Sequence, residues 1–153
     1  MTINQIHTAV VSAYREAIDG TDFKDITIIP IDRETDDVIR GSAETEYDGA
    51  YSREIGMKVT TVNEDLYYYA SDPKSWKIEL NNFQEVMQAR LLKGIGELEV
   101  TDIECESGKV GETGGVLHLS FTLNDYEVVD FDGRETDADI MENLDETISI
   151  TPY

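Results

Sequence analysis

Residues 116–123 read VLHLSFTL, with Leu117, Leu119, Phe121 and Leu123 at every second position. Strict alternation is the pattern of a β-strand with one dry face and one wet face. The dry face has to be covered by other apolar surface, so this stretch commits the chain to a sheet packed under something else. Its neighbour, GELEVTDIECESG (96–108), carries five acids and no base. There Leu98 and Val100 share one parity while Ile103 and Cys105 share the other, so a bulge is expected near Thr101–Asp102. The Gly-rich stretch SGKVGETGG joins the two strands into a hairpin, and the acids fall on its solvated face.

The cover is legible further upstream. Ile3, Ile6, Val10, Ala13, Tyr14, Ala17 and Ile18 recur at helical spacing, Thr2 and Gln5 fit a capping box, and Gly20 supplies a left-handed stop. DITIIPI (25–31) then reads as a short strand with Pro30 at its end or on an edge. Beyond a polar stretch, SAETEY is extended and Asp48–Gly49 carries the hairpin turn signal. In AYSREIGMKVTTV, Ile55, Met57 and Val59 share a face, and residues 42–62 form a long hairpin projecting from the domain. NEDLYYYA (63–70) fits a helical turn or a strand. Asp72–Pro73 is expected to cap a second helix, with Trp76, Leu80, Phe83, Met87 and Leu91 on its apolar face. Asn81–Asn82 is expected to interrupt that helix, and Gly94 and Gly96 to end it.

NDYEVVDFDG extends the last strand, RETDADIMENLDET is acidic and weakly packed, and ISITPY returns as a short edge strand. The expected fold is therefore α+β: a small mixed, mostly antiparallel sheet with an N-terminal helix and a second helix packed on it. One domain spans residues 1–153, with 126–153 as an acidic C-terminal extension and no repeat or linker.

Charge narrows the function classes. There are 33 acids and 12 bases, a net of −21, spread as −7 over residues 1–48, zero over 49–96 and −14 over 97–153. Self-repulsion of that size opposes compaction in dilute buffer, but at molar salt the screening length falls to about 3 Å. A salt-rich cytoplasm is the plainest setting, and imitation of DNA is the sharper alternative. Binding to nucleic acid is disfavoured, because no basic patch could neutralise phosphates. No stretch approaches the roughly 20 apolar residues of a membrane span. The basic-then-apolar order of a signal peptide is also missing, so neither a membrane nor that export route is expected.

Motifs for chemistry are thin. Cys105 has no partner cysteine and sits at strand spacing as a small hydrophobe. His7 and His118 lack metal-ligand spacing, so no zinc site is expected. Asp130, Asp132, Gly133 and Asp137 resemble part of a calcium loop, but Arg134 occupies its fifth position and a solvated turn fits better. GIGELE and GETGG lack the phosphate-binding frame, and no cofactor or catalytic residue is assigned. The aromatic cluster Tyr67, Tyr68, Tyr69 and Trp76 reads first as core, yet three consecutive tyrosines cannot all face inward. It lies in the charge-neutral third, where Lys74, Lys77, Arg90 and Lys93 balance Glu79 and Glu85. Tyr67, Tyr68, Tyr69, Trp76, Lys77 and Arg90 are therefore the candidate subunit interface.

The succession INQIHTAVVSAYREAI, ITIIPI, EIGMKVTTV, FQEVMQARLLKGIG, ELEVTDIEC and GVLHLSFTL resembles the tail-terminator (tail-completion) proteins of long-tailed viruses over roughly residues 1–125. The acidic tail after Asp125 departs from the family's ending on the hairpin. The resemblance implies a small α/β sandwich without catalytic residues, a hexameric ring of identical subunits at the head-proximal end of the tail tube, and tube and neck proteins as partners. Genomic DNA would pass through a negative ring without specific binding. With the salt argument, the expected place is the virion of a virus with a halophilic, archaeal host. Another neck or tail component (a head–tail connector), an acidic DNA-mimic inhibitor and, last, a small enzyme are the alternatives.

Overall fold

The computed structural model describes residues 1–30, 39–109 and 114–129. In chain order these form α1 (Ile3–Ile18), β1 (Thr27–Pro30), β2 (Ser42–Glu54), β3 (Met57–Tyr69), α2 (Trp76–Leu91), β4 (Glu99–Lys109) and β5 (Gly115–Val128). The strands make one five-stranded sheet in the order β1-β2-β3-β5-β4, with β1 parallel to β2 and β4 antiparallel to β5. This is the α+β fold expected, with a mostly antiparallel sheet and two helices. The Asp130, Asp132 and Asp137 turn, the ISITPY strand and most of the 126–153 extension lie outside the described residues.

Two compact units contain these elements: Met1–Ala50 with Thr60–Asp125, and Tyr51–Val59 with the residues from Tyr126 onward. In the first, α1 starts where Thr2 accepts from the Gln5 amide (3.1 Å) and Gln5 returns the bond to the Thr2 amide (2.8 Å). Such a reciprocal cap is worth about 1 kcal/mol. The helix buries Ile6, Val10, Ala13, Tyr14 and Ile18. α2 buries Leu80, Phe83, Met87 and Leu91, with Trp76 partly covered. Phe83 stacks on Tyr68 (4.1 Å) and meets Phe23 edge-on (5.1 Å). Because Glu64 and Tyr68 of β3 and Phe121 of β5 meet the helices, both helices lie on one face of the sheet. Leu117, Leu119, Phe121 and Leu123 point into that layer.

Four local expectations are corrected. Asp48–Gly49 does not turn: β2 runs through it, and the hairpin turns at Ile55–Gly56, where Gly56 takes a left-handed φ of +73°. Gly49 answers a tertiary demand, since a Cβ there would sit 2.8 Å from the Thr61 carbonyl and 3.0 Å from Ile3. Ile55 consequently sits on the turn, fully exposed, and not on a shared face with Met57 and Val59.

Asp72–Pro73 does not cap α2, which begins at Trp76 after Ser75. The Asp72 carboxylate instead accepts from the Lys74 amide and the Ser75 hydroxyl, both at 2.9 Å, and closes the turn before the helix. These bonds hold the Asp72 carboxyl below its ordinary value. Asn81–Asn82 does not interrupt α2 either. Both are exposed within it, and their helix-propensity cost of a few tenths of a kcal/mol each yields to the four buried apolar residues.

The ambiguous NEDLYYY segment is strand β3. The parity change in β4 is a register shift between Thr101 and Glu104, with Asp102 at a positive φ of 56°. Glu99, Asp102, Glu104 and Glu106 are exposed, as acids on a wet face should be.

Candidate functional site

Alternation along β3 decides where its side chains go. Val62, Glu64, Leu66 and Tyr68 enter the helix-covered layer, while Asn63, Asp65, Tyr67 and Tyr69 point to the opposite face. Among the described residues no helix packs on that opposite face. Its polar groups are laced across strands: Asn63 donates to Asp48 (3.0 Å), Thr122 to Asn63 (2.9 Å), Thr61 to Asn124 (2.7 Å) and Asn124 to Glu99 (3.2 Å). A depression of about 300 Å³ on this face is bordered by Asn63, Asp65, Asp102, Glu104, Ser120 and Thr122.

Two histidines meet two consecutive carboxylates of β3 from opposite sides. His118 Nε2 lies 2.7 Å from Asp65 Oδ1 on the open face and stacks on Tyr67, with ring centres 4.4 Å apart. His7 Nδ1, from α1, lies 2.8 Å from Glu64 Oε2 in the covered layer and stacks on Tyr47 at 3.8 Å. Tyr47 donates to Asn4 Oδ1 (2.6 Å), which fixes the stacked ring. Glu64 is completely buried, and its second oxygen, Oε1, has no hydrogen-bond partner; nor has the buried Tyr14 hydroxyl. Burial raises the Glu64 carboxyl above its ordinary value and the charge of Asp65 adds to it, while the bond from His7 pulls it back. Tyr14 is pushed far up by burial and by the fields of Glu64 and Asp65. Sequence spacing could not reveal these pairs, because 57 residues separate His7 from Glu64 and 53 separate His118 from Asp65. The one readable signal is that Glu64 shares the parity of Val62, Leu66 and Tyr68.

The six expected interface residues do not form one surface. Tyr68 is core: its hydroxyl donates to Glu79 (2.5 Å), and burial first, then Glu79, raises its pKa. Tyr67 and Tyr69 lie half-buried on the open face, Tyr69 reaching Glu44 (3.3 Å). Trp76 packs against Gly115, where an added Cβ would fall 2.2 Å from the indole. Lys77 is exposed. Arg90 is engaged within the chain, donating to Glu16 (2.8 Å) and to the Gly94 carbonyl (2.7 Å). Glu79, expected to balance lysines, instead accepts from Tyr68, Ser71 and the Asp72 amide.

Chemically, this arrangement can hold protons and present acid. Burial pushes the Cys105 thiol up to about 11, so it is a poor nucleophile at neutral pH. Among the described residues no three ligating side chains converge as a metal site. No described helix is long and apolar enough to cross a membrane. The chain matches no protein-family model, and no curated protein matches its sequence.

Proposed function

We propose that this chain is a structural virion protein of the tail-terminator kind, closing as a homo-oligomeric ring on the head-proximal end of a tail tube and joining the tail to the neck. The observation that carries the reading is the element order: helix, strand, a hairpin of two 13-residue strands, helix, bulged hairpin, all on one sheet. That is the order on which the resemblance to tail terminators rests. The acidic surface fits passage of DNA, since it repels phosphates and does not grip them. It also fits assembly in a salt-rich host cytoplasm.

Negative-stain electron microscopy of the full chain in about 3 M KCl, where surface charge is screened, tests this reading. Rings with a central opening are expected. Particles no larger than one chain at every salt concentration would overturn it.

A second reading is favoured by the open sheet face, where Asp48, Asp65, Glu99, Glu104 and Glu106 lie together on adjoining strands. A DNA-mimic inhibitor would display such a face to a basic protein. Tight, salt-sensitive capture of a histone-like protein by a folded monomer would select that reading over the ring.

A further inference from the structure

We propose that one buried water molecule is bound between Tyr14 of α1 and Glu64 of β3, where it completes a polar clamp joining the helix to the sheet. This site is independent of the virion role. Two buried side-chain oxygens of the covered layer, Tyr14 Oη and Glu64 Oε1, have no hydrogen-bond partner among the described residues. Both residues are only 1% exposed. A buried hydroxyl or carboxylate oxygen left without a hydrogen bond is costly, so folded interiors pair nearly all such atoms. Water does this where no protein group reaches.

Register and helix geometry bring the two oxygens to one place. The cross-strand contacts of Thr61 with Asn124, Asn63 with Thr122 and Tyr67 with His118 set β3 against β5 so that Glu64 lies opposite Phe121. Tyr14 meets the ring of that same Phe121 edge-on, with centres 6.3 Å apart. On α1, Tyr14 follows His7 by about two turns on the same face, roughly 10 Å along the axis. Helical side chains lean back toward the N-terminus, so the Tyr14 hydroxyl returns toward the His7 turn. There His7 holds Glu64 Oε2 at 2.8 Å. After burial, the field of Glu64 does most to raise the Tyr14 hydroxyl above its ordinary pKa, ahead of the field of Asp65 on the other face. The hydroxyl therefore stays protonated and is a donor. Neither oxygen reaches a partner directly, and one water spans the gap: Tyr14 donates to the water, and the water donates to Oε1. Glu64 is then held from two turns of α1, at one oxygen by His7 and at the other through the water by Tyr14.

The test joins a crystal structure of the full chain, at a resolution that shows ordered water, with the stability of Tyr14→Phe in about 3 M KCl, where surface charge is screened. Density for one water within about 3.2 Å of both oxygens is expected. Y14F removes only the hydroxyl, and the sign of its effect decides the matter. A bridged hydroxyl predicts that the folding equilibrium constant, read from urea unfolding, falls about fivefold, the loss of one ordinary hydrogen bond. An unpartnered hydroxyl predicts no change or a rise, because a desolvated polar group has been taken away. A Tyr14 hydroxyl bonded directly to Glu64, an interior with no water between the two, or Y14F as stable as wild type would each overturn the proposal.

Discussion

Glu64 and Asp65 are neighbours on one strand, and each has a histidine stacked on a tyrosine as its partner. Their circumstances differ because a strand sends successive side chains to opposite faces. The Glu64 side chain is 0% exposed under α1, with one oxygen unpartnered; that of Asp65 is 31% exposed on the open face. The same chemistry is therefore a buried constraint on one face and a surface contact on the other. Stripping a partner from a buried charge leaves its desolvation uncompensated, whereas a surface pair competes with water and ions. The covered face fixes α1 to the sheet, and the open face is free to present charge.

His7→Ala should give the largest effect. It should cost about 3 kcal/mol at neutral pH by leaving Glu64 buried without its partner, read from urea unfolding in high salt. A loss below about 1 kcal/mol would mean that the two faces are equivalent. Next, Gly115→Ala should cost about 1–3 kcal/mol through overpacking against Trp76 and Leu80. Gly108→Ala, with nothing within 4 Å of the new Cβ, should be neutral or slightly stabilising.

The third prediction concerns pH. Because the folded chain raises the Glu64 carboxyl above 4.5, it keeps a proton that the unfolded chain has already released. Glu64 therefore lowers stability as pH rises from about 4.5 through its folded value, with a slope of at most about 1.4 kcal/mol per pH unit. Unfolding midpoints of Glu64→Gln against pH should lack that slope. The smallest effect belongs to His118→Ala, expected to cost under about 1 kcal/mol and to shrink with salt. A larger, salt-independent loss would move the Asp65 pair into the buried class.

Much of this was legible because it is periodic. The Leu117–Leu123 alternation, the α1 stripe and the parity change at Thr101–Asp102 each encode a burial pattern that needs no knowledge of distant residues. The misread positions are those where a local signal answers a tertiary demand. Gly49 looks like a turn and is a place where Ile3 and the Thr61 carbonyl come close. Asp72–Pro73 looks like a cap and closes the turn before one. Glu64 looks like one more acid in an acidic chain; only its parity, shared with Val62, Leu66 and Tyr68, marks it as buried. The residues of the expected interface are divided in the same way, since Tyr68 faces the core and Arg90 is tied to Glu16.

The claim that matters most is that this acidic chain is a part of an assembly. Molar mass by light scattering, from dilute buffer to about 3 M KCl with the charge screened at the upper end, addresses it directly. The account predicts a rise with salt to a ring near six times 17.2 kDa. A mass of 17.2 kDa at every salt concentration, from a chain that is folded throughout, would contradict it.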